Sequence, residues 1–202
     1  MLKFKLLFLS FFLFTSLFAQ QTAEDFFNLG NARAVKEEYS SAAALFTKAI
    51  ALNKDYVDAY FNRGISYLKA RKYQLAVDDF IKVVEFEPNN VKALENLAIA
   101  RIELGDYQGA LVEINRALTI DLDSPTLYYQ KGVAYYHIGN FSQAIHFFEC
   151  SIEFSNEYHK AWYKKGITNY MLGRKTLACE DLRKAIELGN QEAYSILKIY
   201  CR

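Results

Sequence analysis

The sequence predicts an all-α solenoid: five 34-residue helical hairpins in tandem, closed by a C-terminal capping helix. Three observations carry this. After residue 22 the chain repeats itself every 34 residues, with Gly30, Gly64, Ala98, Gly132 and Gly166 marking the register. Each repeat holds two stretches in which apolar residues recur at intervals of three and four, the spacing of amphipathic helices. The chain has only two prolines, Pro88 and Pro125, and both fall between repeats, where a helix has to stop.

The units span 23–56, 57–90, 91–124, 125–158 and 159–192, with no insertion or deletion. A large residue stands at the fourth place of each: Phe26, Tyr60, Leu94, Tyr128 and Trp162. The eighth place is small, and the twentieth is always alanine: Ala42, Ala76, Ala110, Ala144 and Ala178. Small residues at these two places let the two helices of a hairpin approach closely. Bulky apolar residues at the twenty-fourth place (Phe46, Phe80, Ile114, Phe148 and Leu182) fill the space beside the gap. Glu38-Tyr39, Lys72-Tyr73, Gly105-Asp106-Tyr107 and Gly139-Asn140-Phe141 mark the turns between paired helices, each with an aromatic able to plug the hairpin. A plain helical bundle would not require so fixed a period.

These residues resemble the tetratricopeptide repeat family, whose signature runs W-x₂-L-G-x₂-Y, then A-x₃-F, then P. Unit 1 matches at Phe26, Leu29, Gly30, Ala42 and Phe46; unit 2 at Tyr60, Gly64, Tyr67, Ala76, Phe80 and Pro88; unit 5 at Trp162 and Gly166. Arg33 and Arg101 stand where an aromatic is usual, and Lys175 replaces the hairpin aromatic of unit 5. The resemblance covers residues 23–192 and implies a right-handed α–α superhelix that binds a protein or peptide on its concave side. It places the groove on the first helix of each unit. The groove candidates are then Phe27, Asn31, Phe61, Ile65, Leu68, Ile99, Tyr129, Val133, Tyr136, Tyr163, Ile167 and Tyr170. Helix packing does not require apolar residues there, so a contiguous apolar, tyrosine-rich face, densest in units 4 and 5, points to a partner. The family's carboxylate clamp is only partly matched. Asn31, Asn62 and Lys92 keep its places, but Phe27 and Asn96 replace its first lysine and its arginine.

Residues 1–19 form a separate object. Lys3 and Lys5 precede an apolar run from Leu6 to Phe18, and Ala19 follows. This is the layout of a secretory signal peptide, too short to span a bilayer comfortably. Leu17 is the one unusual residue before the cut. Residues 20–22 read as a short linker and 193–202 as the capping helix. An exported protein is expected, periplasmic or secreted and of bacterial type, with membrane attachment only if the leader stays uncleaved.

Export bears on the cysteines. Cys179 lies about ten residues before the Gly189-Asn190 turn and Cys201 about eleven after it, so antiparallel helices bring them to similar height. They are the disulfide candidate, with a reduced pair in contact as the alternative; Cys150 is left free.

Composition is that of a folded chain, with 52% hydrophobic and 16% aromatic residues. The formal charge is +1, and removing the leader leaves 22 basic against 23 acidic residues. No overall field draws nucleic acid to such a chain. No catalytic motif has its structural context, and His137, His146 and His159 are scattered. His146 and Cys150 share ligand spacing but lack a third partner. The expectation is therefore a non-enzyme with no cofactor and no metal, a scaffold for a protein or peptide. The alternatives are a self-associating assembly protein (a homo-oligomer built through the groove or an open end) and a docking subunit of an envelope enzyme complex.

Overall fold

The computed structural model describes residues 21–201, so the segment read as a leader lies outside the described residues. Within them are eleven helices: α1 Ala23–Val35, α2 Tyr39–Leu52, α3 Val57–Lys69, α4 Tyr73–Phe86, α5 Val91–Leu104, α6 Tyr107–Leu118, α7 Pro125–Ile138, α8 Phe141–Phe154, α9 His159–Met171, α10 Lys175–Glu187 and α11 Gln191–Tyr200. Each helix packs on the one before and the one after. In addition α1 touches α3, α3 touches α5, α5 touches α7 and α7 touches α9. The first helices of successive hairpins thus form a continuous row, the inner row of an α–α superhelix.

Local chemistry sets the helix ends. Thr22 and Asp25 form a capping box at α1: the Thr22 N–H donates to Asp25 Oδ2 at 2.8 Å, and the Asp25 N–H to Thr22 Oγ1 at 3.1 Å. Asn90, Asp106, Asn140 and Asn190 cap α5, α6, α8 and α11 with their side chains. Asn190 therefore starts α11 at Gln191, inside the last two residues of the fifth period. The turn inside every hairpin contains one residue with positive φ at the same place: Glu37, Arg71, Gly105, Gly139 and Gly173. Glycine takes that backbone without a steric penalty, whereas Glu37 and Arg71 adopt it at a cost.

The hairpin core obeys a size exchange. Phe46, Phe80 and Phe148 are fully buried and lie against Gly30, Gly64 and Gly132. A Cβ at Gly132 would stand 2.5 Å from Phe148 Cε1. Unit 3 reverses the sizes, with Ala98 and Ile114 both in one buried cluster. Unit 5 pairs Gly166 with Leu182, whose Cγ would meet an added Cβ at 2.9 Å.

The C-terminal end is covered by α11, where Ala193, Ile196, Leu197 and Cys201 pack with Leu182 and Ala185. Cys179 and Cys201 are joined by a disulfide with Cα atoms 5.8 Å apart, while Cys150 is free. Among the described residues no helix is long and apolar enough to cross a membrane.

Candidate functional site

The inner row of helices opens a hollow of about 690 Å³ between α5, α7, α9 and the start of α11. Its floor is apolar: Ile99 from α5, with Ile102 and Val133 nearly buried beneath. Its wall is aromatic. Tyr129 meets Tyr158 edge-on with ring centroids 5.4 Å apart, and is backed by Phe148 at 5.9 Å. Tyr163 stands on the α9 side. Burial pushes the Tyr158 phenol up to about 12 and raises those of Tyr129 and Tyr163 as well. All three phenols are therefore neutral hydrogen-bonding groups at ordinary pH.

The rim carries charge. Lys160 and Lys164 project from α9, Glu103 from the end of α5 and Glu192 from the start of α11. Lys164 Nζ lies 5.5 Å from the centre of the Tyr136 ring. His137 stacks flat on Tyr107 at 5.2 Å. Burial is the main reason its pKa falls below the ordinary value, with Lys164 adding to the fall and Glu103 opposing it. Asn190 Nδ2 donates to His159 Nδ1 at 3.1 Å, tying the first turn of the capping helix to α9. Desolvated phenols beside unlike charges can hold an extended polypeptide through stacking, hydrogen bonds and ion pairs.

The candidates named from the sequence separate into groups. Tyr129, Val133, Tyr163 and Ile99 border the main hollow. Ile65, Leu68 and Ile99 border a second one of about 290 Å³, which shares Ile99 and Glu103 with the first. Phe27 packs on Phe46 and Tyr56, and Phe61 on Phe80, so both serve the hairpin cores. Asn31 Oδ1 accepts from Asn62 Nδ2 at 2.8 Å, a bond between neighbouring repeats. Tyr136 leans on Phe141, Ile167 joins the cluster under the cap, and Tyr170 packs on Tyr200 of α11 at 4.1 Å. Of the candidate tyrosines of units 4 and 5, Tyr129 and Tyr163 line the main hollow.

Several lining residues were not read as groove from the sequence: Tyr158, Lys164, Gln130, the Gly189-Asn190 turn and the first two residues of α11. Tyr158 ends unit 4 and the turn follows α10, so neither sits on a first helix. Lys164 lies at the sixth place of its unit, between two groove places, which was the available signal. Cys150 Sγ and His146 Nε2 are 3.9 Å apart. Among the described residues no group of three or more His, Cys, Asp or Glu could hold a metal ion.

A row of stacked helical hairpins around a concave, aromatic hollow defines the class of helical-repeat binding scaffolds. Family profiles described as "Tetratricopeptide repeat" match residues 57–90, 125–158 and 159–190, and one described as "TPR repeat" matches 30–70 and 99–139. The chain belongs to the tetratricopeptide repeat family, whose fold serves as a protein–protein interaction scaffold. No curated protein sequence matches it. Among solved structures it is similar to MamA 41-end from Desulfovibrio magneticus RS-1, at 20% identity over 84% of this chain and 96% of that chain, with a TM-score of 0.75. It is similar also to TTC0263, a thermophilic TPR protein of Thermus thermophilus, at 17% identity over 89% and 99%, with a TM-score of 0.73. A third is YrrB, described as a TPR protein with an unusual peptide-binding site, at 24% identity over 87% and 92%, with a TM-score of 0.66.

Proposed function

We propose that this chain is an exported, non-catalytic scaffold that holds an extended peptide segment of another protein in the hollow between α5, α7 and α9. The observation that carries the reading is the juxtaposition of three desolvated phenols, Tyr129, Tyr158 and Tyr163, with an apolar floor in a space of about 690 Å³. The peptide-binding site named for YrrB supports the reading by analogy of fold. The second hollow, at Ile65, Leu68 and Ile99, extends the track toward the N-terminal repeats.

Tyr163 is the residue to remove, because Tyr129 also supports the core through Phe148. The purified protein is applied to an array of random decapeptides, acetylated and amidated at their ends. Wild type captures a subset; Tyr163→Ala captures the same subset about tenfold more weakly or not at all, with unchanged helical circular dichroism. Undiminished capture by Tyr163→Ala rejects the hollow as the site. Export is tested by intact mass of the protein recovered from its native source. A chain beginning at Gln20 supports it, and an intact leader contradicts it.

A further inference from the structure

We propose that the Cys179–Cys201 bridge is a thiol-operated clasp, opened by attack at Cys201, that holds one wall of the main hollow in place. Its effect on binding rests on the reading of the hollow as a peptide groove; the attack site and the release of α11 do not.

The two cysteines of the bridge are unlike. Cys179 lies within α10 and is 7% exposed. Cys201 follows the last turn of α11, is half-buried, and borders an open hollow of about 310 Å³ with Arg183, Tyr194, Leu197 and Lys198. Access helps decide which sulfur of a disulfide is attacked. A thiolate of a small dithiol therefore reaches Cys201 Sγ. A new S–S bond forms there, the Cys179–Cys201 bond breaks, and Cys179 leaves as a thiolate that takes up a proton. The second thiol of the reductant, as its thiolate, attacks the reductant sulfur of the mixed disulfide and expels Cys201, which is protonated in turn. Two electrons and two protons pass to the protein, and the dithiol leaves as its own disulfide.

The element that the bridge holds is lightly packed. Helix α11 has ten residues, fewer than the roughly 12–15 that an isolated helix needs in water. Only Ala193 is buried in it, while Tyr194 and Ile199 are 62% and 64% exposed. It packs along α10, and two contacts tie its ends to α9: Asn190 to His159 at 3.1 Å and Tyr200 to Tyr170 at 4.1 Å. The bridge is the covalent tie at the C-terminal end. At the other end Asn190, Gln191 and Glu192 border the main hollow. Elements with few buried apolar contacts open locally, and a covalent tie limits that opening. With the bridge open, α11 spends part of its time undocked, and the hollow then lacks its 189–192 wall.

The first test reads the attack site. Cys150, the free cysteine, is replaced by serine. The oxidised Cys150→Ser protein is exposed briefly to reduced glutathione, quenched with iodoacetamide and cut with trypsin. The cut separates Cys179, on residues 176–183, from Cys201, on residues 199–202. Glutathione is expected on Cys201 and the acetamide label on Cys179. Glutathione mainly on Cys179, equal labelling of the two, or a bridge that reacts only in urea overturns the clasp.

The second test reads the wall. Dithiothreitol opens the bridge in the folded Cys150→Ser protein. Amide NMR signals of Lys160, Gln191 and Glu192 should shift or broaden, with those of α1 to α4 unmoved. Binding of the strongest peptide from the end-blocked array should weaken about tenfold, the loss expected when the wall is docked about a tenth of the time. Cys150→Ser/Cys179→Ser/Cys201→Ser should bind that weakly with or without dithiothreitol. Unmoved hollow signals, or undiminished binding, overturn the clasp, while binding lost in Tyr163→Ala keeps the groove reading intact. If the oxidised protein captures no peptide, the groove reading fails, and the amide signals alone decide the clasp.

Discussion

Arg63 grips Asp79 with two prongs inside the second hairpin, Nε to Oδ2 at 2.8 Å and Nη2 to Oδ1 at 2.7 Å. The same two places in the fifth hairpin hold Lys165 and Asp181 at 3.2 Å. In the fourth they hold Lys131 and Phe147, with Nζ 4.4 Å from the ring centre. In the first they are Leu29 and Leu45. In the third they are Leu97 and Glu113, and Glu113 pairs instead with Arg101 at 3.4 Å, so the repeat accepts several chemistries at these two places.

That relationship gives a double-variant prediction. Asp79→Ala leaves a largely buried guanidinium with only Thr47 Oγ1 at 2.9 Å, and should cost about 3 kcal/mol. Arg63→Leu/Asp79→Leu, which copies the first hairpin, should recover most of that loss. Urea unfolding of the two variants measures it; equal losses would contradict the account.

The size exchange predicts a second compensation. Gly132→Ala drives a Cβ into the fully buried Phe148 ring. Overpacking of about 1–3 kcal/mol outweighs the gain of about 1 kcal/mol in helix propensity. Adding Phe148→Ile reproduces the Ala98–Ile114 pair of the third hairpin. The double variant should then be more stable than Gly132→Ala alone, as read by its thermal midpoint.

The Cys179–Cys201 bridge closes a segment with a sequence separation of 22, and its loss should cost about 3 kcal/mol on the chain-entropy account. In a stack of repeats the effect should be local. Reduction should raise hydrogen exchange in α11 and in the turn at 189–192, leaving α1 to α4 unchanged. Uniform exchange along the chain would contradict this.

His137 predicts a pH effect. Burial, aided by Lys164, holds its folded pKa below the ordinary 6.5. Glu103 opposes the shift, and Tyr107 stacks on the ring. The neutral ring is favoured in the fold, so its contribution is present above pH 6.5 and lost as pH falls through the folded value. Between pH 7 and pH 5 the wild type should therefore lose thermal stability relative to His137→Gln. Parallel curves for the two proteins would show no such linkage.

The repeat was legible in the sequence because close helix approach demands a small eighth place and an alanine at the twentieth, whatever the rest of the unit does. The Arg63–Asp79 and Lys165–Asp181 pairs were not, since charged residues at half-buried places look like solvated surface until the facing helix is known. The groove was legible in part. Tyr129 and Tyr163 line the hollow, Tyr136 lies under Lys164 at its rim and also packs on Phe141, and Tyr170 packs on Tyr200 of the capping helix. Tyr158 and the Gly189-Asn190 turn were not read as groove because the 34-residue pattern assigns them to connections, and connections enter the groove only through the superhelical stacking.

The measurement that tests the central claim most directly is an amide NMR titration of the wild-type protein with the strongest peptide from the end-blocked array. Binding in the hollow predicts shifts at Ile99, Tyr129, Lys160, Tyr163 and Lys164, with Val112 and Leu177 unmoved. Shifts confined to those last two, which are exposed on second helices, would contradict it.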